Sequence, residues 1–553
     1  MPRLVPRTVL SATLAASLAA CASTPPPVDV ADGVGGTAQS AALHVDVPAI
    51  ARPSGETAAW WFRDGAAQAA GRGAMAGGAR NVILFVGDGM SLPTVAAARI
   101  LAGQRAGNPG EAHRLSWEHF PATALSRTYN TDSQTPDSAG TMTAMATGVK
   151  TRAGHVSVGP SAPSGDCAAG RAAPLLTLWE LAASQGLATG VVTTTRVTHA
   201  TPAATFAHVA DRGWEADSRM PAGARADGCV DIATQLVHAP DGGPDVLLGG
   251  GRAFFLPTGQ ADPEYPDRNG YREDGTDLVA EWRRRNPDGS YAWNAAQLAA
   301  APLDGPLLGL FQPWDMQFEH DRAGDAAGEP SLAEMTRAAI TRLQRDPDGY
   351  VLLVEGGRID HAHHGGNAFR ALTDTIAMAD AVQVAADMTS VDDTLVIVTA
   401  DHSHTLNFVG YPVRGNPILG LVREPADDGA STPSLDTAGR PYTTLSYANG
   451  PGHAGPGRPD LTAVDTTAPD YLQEAMVPLE SETHGGDDVG VWARGPGSAA
   501  VRGSLEQNAL FHVMLQAMPR LRTPLCDAGL CNDDGVPVEL PRRDAFGPAP
   551  DDR

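Results

Sequence analysis

Asp360-His361-Ala362-His363-His364 sets a carboxylate and an imidazole four residues apart, at Asp360 and His364. On a helical turn that spacing puts both on one face, and with a further histidine they suit tetrahedral zinc with an open position. Asp401-His402 offers the same ligand types a second time. A lone acidic, histidine-bearing stretch is ordinarily a solvated loop. Here each set follows a strongly apolar run, Tyr350 to Val354 and Thr394 to Thr399, which argues for a buried site. Asp88 stands between two glycines after a third such run, Asn81 to Val86. Gly-Asp-Gly also makes ordinary turns, so Asp88 gains weight only as a carboxylate bridging two metal centres.

Three more segments add chemistry of another kind. Ser138 precedes a small-residue helical run, Met142 to Thr147. It is either a routine helix cap or a hydroxyl placed where free N–H groups and the helix dipole favour an anion. Beside zinc, a serine hydroxyl becomes a nucleophile near neutral pH. Thr201 with Glu355 and Asp88 makes an all-oxygen set suited to magnesium completed by water. Arg212 is either a surface arginine or a fork that matches two phosphate oxygens at once.

These residues need a scaffold that gathers distant segments. Short apolar runs alternate with helical stretches: strand Asn81–Val86 then helix Leu92–Leu101, helix Leu175–Ser184 then strand Ala188–Thr193, and a strand at Asp245–Leu248. Helix Leu332–Leu343, strand Tyr350–Val354, helix Ala368–Met388, strand Thr394–Thr399 and strand Val489–Ala493 follow. Buried β-branched strands alternating with helices predict an α/β fold, a mostly parallel central sheet with helices on both faces. Ligands then gather outside the carboxyl ends of the strands, where Asp88, Glu355, Asp360, Asp401 and His402 fall, with His484 just before the last strand. Residues ~255–305 and ~412–480, rich in Gly, Pro, Asp and Arg, read as insertions at the sheet's edges.

The 553 residues are 42% hydrophobic, enough to bury a core, and carry 40 basic against 64 acidic side chains, a net −24. Such an acidic surface argues against nucleic acid as a general partner, while a cleft's local field still admits a small phosphorylated substrate. Arg3 and Arg7 precede an uncharged run, Thr8 to Ala20, short for a membrane span of ~20 residues but suited to a signal peptide. Leu18-Ala19-Ala20-Cys21 looks like a bacterial lipoprotein signal, the alternative being an ordinary secretory one. Either way the chain is expected to be exported. Lipid on Cys21 would leave four cysteines in an oxidising compartment, where close neighbours Cys526 and Cys531 pair, and Cys167 pairs with Cys229.

From about residue 58 to about 531 the chain resembles the alkaline phosphatases, specifically their animal-type branch. The motifs are Val86 to Met90, Asp137-Ser138 with its Ala-Gly-Thr, and Val192-Thr193-Thr194-Thr195-Arg196. His199-Ala200-Thr201-Pro202, Glu355 to His361, Thr399 to His404 and Glu482-Thr483-His484 complete the set, in one order. The resemblance implies a three-layer sandwich with a crown-like insertion at 412–480, a homodimer, two zinc ions and one magnesium per subunit. It leaves residues 1–20 as signal peptide, 21–57 as a flexible tether and 532–553 as a C-terminal tail. Asp360, His364 and His484 would hold the first zinc; Asp88, Asp401 and His402 the second, joined by Ser138; Asp88, Thr201 and Glu355 the magnesium. Ser138 would be phosphorylated and rehydrolysed, with Arg212 clamping the phosphoryl group, across a broad range of monoesters and best at alkaline pH. The same superfamily includes phosphodiesterases and sulfatases, against which Ser138 with Arg212 favours monoesters. The family divides on two positions beside the metals, here His199 and His361, where the other bacterial branch has aspartate and lysine. Neutral imidazoles there imply looser magnesium and easier phosphate release, unless both merely fill space.

Overall fold

In the computed structural model, residues 43–239, 243–426 and 431–546 are described. The expected signal peptide and Cys21 lie outside them.

Alternate residues of the three most apolar strands feed two different cores. In β1 (Asn81–Gly87), Val82, Leu84 and Val86 point to one core, while Ile83 and Phe85 point to the other. β7 (Tyr350–Gly356) divides Val351 and Leu353 from Leu352 and Val354 in the same way. β8 (Thr394–Ala400) divides Leu395 and Ile397 from Val396 and Val398. A period-2 strand that is apolar at every position must be covered on both faces, and here it is.

Among the described residues ten strands form one sheet. From its middle outward on one side run β1, β7, β3 (Ala188–Arg196), β4 (Val246–Gly250), β6 (Leu307–Leu310) and β5 (Ser290–Ala292), all parallel. On the other side β8 is parallel to β1; the strand Val489–Arg494 then runs antiparallel to β8 and to β2 (Ala122–Arg127), and Arg502–Glu506 lies parallel to β2 at the edge. Val489–Arg494 is thus not the last strand of the sheet, and β2, β5, β6 and Arg502–Glu506 are strands that the apolar runs of the sequence do not mark.

The first expected insertion, ~255–305, supplies β5 and so extends the main sheet. The second supplies Leu445–Gly450 and Ala475–Pro478, which join Leu406–Phe408 just before it in a separate three-stranded sheet. Both expected disulfides are formed, with Cα atoms 5.8 Å apart in Cys167–Cys229 and 4.7 Å in Cys526–Cys531.

The tether and tail boundaries need correction. Val45, read as tether, and Val536 and Val538, read as tail, bury together against Ala66 and Ala70 of the helix α1 (Ala58–Gly71). Pro48 O also accepts a 2.8 Å hydrogen bond from Trp60 Nε1. Scattered valines in Pro- and Gly-rich company were overlooked by a reading based on composition, yet each has apolar surface to bury.

Candidate active site

The strand register brings the ligand-bearing segments to one edge of the sheet. Val86 pairs with Glu355 on one side and Thr399 on the other, so Asp88, Glu355 and Asp401 emerge together. Thr193 of β3 pairs with Glu355 from beyond. After β7 the short helix Arg358–His364 carries Asp360 and His364 on one face, as their spacing predicts. Ser138 is the first residue of the helix α3 (Ser138–Thr147), capped by Asp137, whose carboxylate accepts from Gly140 N. The cap is therefore Asp137 and not Ser138, which is free to face the cluster.

The donor atoms can be tested against zinc. Ligands ~2.0–2.1 Å from a tetrahedral ion stand about 3.3 Å from one another. Asp360 Oδ1 lies 3.4 Å from His364 Nε2 and 3.3 Å from His484 Nε2, and those two nitrogens are 3.1 Å apart. His402 Nε2 lies 3.2 Å from Asp88 Oδ1 and 3.3 Å from Asp401 Oδ2. Ser138 Oγ takes a fourth corner, 3.2 Å from His402 Nε2 and 3.4 Å from Asp88 Oδ1. Both sets fit. For magnesium the test is orphaned oxygen: Asp88 Oδ2, Thr201 Oγ1 and Glu355 Oε1 are all buried without a hydrogen-bond partner among the described residues. Three such oxygens would be costly unless a cation satisfies them. Asp88 thus offers one oxygen to each of two neighbouring sets.

Electrostatics point the same way. Burial, then the carboxylates of Asp401, Asp360 and Glu355, push Asp88 well above the ordinary aspartate range. Burial lifts Glu355 to about 7. Burial also lowers His402 to about 3, leaving a neutral imidazole ready to ligate. Around Asp360 burial is outweighed by hydrogen bonds from His404 and His484, which hold the carboxyl well below its usual range.

Arg212 is held from two directions. Its guanidinium donates to Asp137 Oδ2 at 3.0 Å and to His199 Nε2 at 2.9 Å. The second bond leaves the proton of a neutral His199 on Nδ1, a buried atom that itself has no partner among the described residues. His361 is treated alike: Arg358 donates to its Nδ1 at 2.7 Å, and burial lowers its pKa to about 4. The two rings meet edge to face, with centroids 5.6 Å apart.

Two functional residues were passed over in the sequence. His404 Nε2 bonds Asp360 Oδ1 at 2.7 Å, and His404 Nδ1 bonds Glu482 Oε2 at 2.5 Å. Although burial opposes it, the two carboxylates raise His404 to about 10, so the ring stays charged between them. The signal was present: His404 follows His402 by two along an extended segment, and Glu482 precedes His484 by two.

The family model described as "Alkaline phosphatase" matches residues 79–519. The tissue-nonspecific isozyme of alkaline phosphatase from Gallus gallus is 46% identical over 450 residues, covering 79% of this chain and 84% of that protein. The Homo sapiens isozyme is 45% identical over 450 residues, covering 79% and 83%. Among solved structures, alkaline phosphatase from Thermus thermophilus aligns with a TM-score of 0.60 at 24% identity, covering 86% of this chain and 96% of that one. The enzyme of the Antarctic bacterium TAB5 aligns at 0.53 and 21%, covering 80% and 98%. These structural likenesses establish the shared fold.

Proposed function

Because the chain belongs to the alkaline phosphatase family and is a hydrolase of phosphate monoesters, we propose that it works through a phosphoserine at Ser138, with Arg212 as the phosphate clamp. The observation that carries this reading is Ser138 Oγ, 3.2–3.4 Å from two donor atoms of a zinc-shaped set, at the N-terminus of α3. Two zinc ions, held by Asp360, His364 and His484 and by Asp88, Asp401 and His402, and one magnesium at Asp88, Thr201 and Glu355, would supply Lewis-acid stabilisation and acidify bound hydroxyls.

The protein's own groups do the rest. Ser138 Oγ attacks phosphorus in line, the P–O bond to the alcohol breaks, and the alcohol leaves on the opposite side. Arg212 donates to two non-bridging oxygens as charge builds on them, while Asp137 and His199 keep its fork aimed. Water then attacks the phosphoserine from the vacated side and returns Ser138 with free phosphate. Almost none of these contacts reach the alcohol, which supports a broad range of monoesters, and product phosphate meets the same clamp and inhibits. An alkaline optimum follows because the ligands and the nucleophile work deprotonated.

We further infer an exported homodimer acting on small phosphorylated substrates, with membrane attachment confined to a lipid on Cys21. No helix among the described residues is long and apolar enough to cross a membrane. A colorimetric monoesterase assay, with a phosphodiester and a sulfate ester as comparators, tests the reaction. Monoester turnover should dominate and disappear after exhaustive chelation. Full activity with no metal left by elemental analysis would sink the metal assignment, and faster diester or sulfate turnover would sink the substrate class.

A further inference from the structure

Glu355 presents its two oxygens to very different surroundings. Oε1 is buried without a partner among the described residues. Oε2 receives a short hydrogen bond from Thr193 Oγ1 and lies 3.2 Å from Thr195 Oγ1. The two threonine hydroxyls are 2.8 Å apart, and Thr195 N–H donates to Thr193 Oγ1, also at 2.8 Å. An ionised carboxylate can only accept, so Thr193 gives its single proton to Oε2, and in the 2.8 Å contact between the hydroxyls Thr195 is the donor. The register of β3 against β4 shifts between Val192 and Arg196, a bulge of the kind that re-aims side chains beside active sites. Gly357 leaves the room needed, since a Cβ there would collide with Thr195 Cγ2 and stand 3.0 Å from Glu355 Cδ.

We propose that Thr193, backed by Thr195, makes Glu355 a one-oxygen ligand and thereby sets the preference of the Asp88–Thr201–Glu355 set for magnesium over calcium. Calcium takes six to eight oxygens at about 2.3–2.6 Å and commonly uses both oxygens of a carboxylate. Magnesium needs near-ideal octahedral geometry at about 2.0–2.1 Å and binds single carboxylate oxygens, with waters completing its shell. A carboxylate whose Oε2 is held by the Thr193 hydroxyl, with Thr195 behind it, resists swinging to chelate, so the larger ion loses a ligand while the smaller loses none. Thr193 acts through Glu355 and is a positioning residue. The inference rests on the magnesium reading above.

The test is calorimetric titration of zinc-loaded, magnesium-free protein with magnesium chloride and, separately, with calcium chloride. The wild type should bind magnesium more tightly. Thr193→Val, which removes the hydroxyl and keeps the shape, should weaken magnesium about tenfold or more, the usual scale for losing a partner of a metal ligand. Calcium should weaken less or tighten, so the magnesium-to-calcium ratio falls, and Thr193→Ser should restore it. An unchanged ratio in Thr193→Val overturns the proposal. If that variant does not fold, Thr195→Val should lower the ratio in the same direction, and an unchanged ratio there is equally fatal. A wild type that binds neither ion with zinc in place would overturn the magnesium reading itself, a result distinct from failure of the clamp.

Discussion

Ser138, His199 and His361 make separable demands on the chemistry. Ser138→Ala should abolish the phosphoenzyme and lower kcat by on the order of 10³-fold or more, since losing the nucleophile removes a whole step. Both zinc ions should stay bound, because three protein ligands remain in each set. Labelled phosphate that still accumulates covalently on the variant would mean that another residue is the nucleophile. His361→Lys should tighten phosphate inhibition roughly fivefold, the scale of a partly screened charge pair of about 1 kcal/mol. The new ammonium would sit where the imidazole is now uncharged, near Asp315, whose Oδ2 is 3.8 Å from His361 Nδ1. His199→Asp should tighten magnesium by placing an anion beside the orphaned oxygens of Asp88 and Glu355. Parent-like inhibition and magnesium activation in both variants would leave the two rings as filler. Asp88, Glu355, Asp360, Asp401 and His402 are legible because each follows an apolar run, whereas Thr201 and His484 rest on the resemblance. His404 is harder to single out, because its task is to hold Asp360 and only its place two residues after His402 points to it.

At the scale of elements, the strands buried on both faces were readable and the edge strands were not. β1, β7 and β8 are apolar at consecutive positions, a pattern that only a covered strand tolerates. β2, Ala-Thr-Ala-Leu-Ser-Arg, exposes Leu125 and buries Ser126, so hydropathy hides it. What fixes that edge is a buried cation. Lys150 Nζ donates to the carbonyls of Arg127 and Tyr129 at 3.1 and 3.0 Å, pairs with Glu506 at 2.9 Å, and lies 3.4 Å from the Tyr129 ring centroid. It thereby ties the end of β2 to the end of Arg502–Glu506. Lys150→Met would leave Glu506 only Arg127 at 3.2 Å and the Tyr129 hydroxyl at 3.1 Å, and should cost about 1–3 kcal/mol in urea unfolding, with kcat unchanged. A pH signature goes with it. Burial lowers Lys150 to about 8, while the unfolded chain keeps that proton up to about 10.4. Between those values the unfolded state binds more protons, so this group makes stability rise with pH. The rise should be absent in Lys150→Met; an identical slope in both proteins would put its origin elsewhere.

Among the described residues the most exposed large apolar side chains lie in or beside the inserted region. Tyr411 is 84% exposed and Met476 74%, with Phe408, Val477 and Leu479 also exposed around the small three-stranded sheet. Phe408, Met476 and Val477 stand on the two outer strands of that small sheet, where a partner protein would cover them. In the proposed homodimer the partner is a second copy of this chain, and a twofold axis would set the same surface against itself. Met476, unbranched and adaptable, suits the centre of such a contact. Replacing it with glutamate would bring two carboxylates together across the axis in a desolvated interface. Met476→Glu should therefore weaken the dimer by about 2 kcal/mol or more, roughly thirtyfold in Kd, a loss typical of a central interface residue. Sedimentation over a dilution series reads this directly, and metal content should not change because the zinc sets lie on the main sheet's edge. A variant that stays dimeric at the same dilution as the parent would remove the patch from the interface, and a parent that is monomeric throughout would remove the interface altogether.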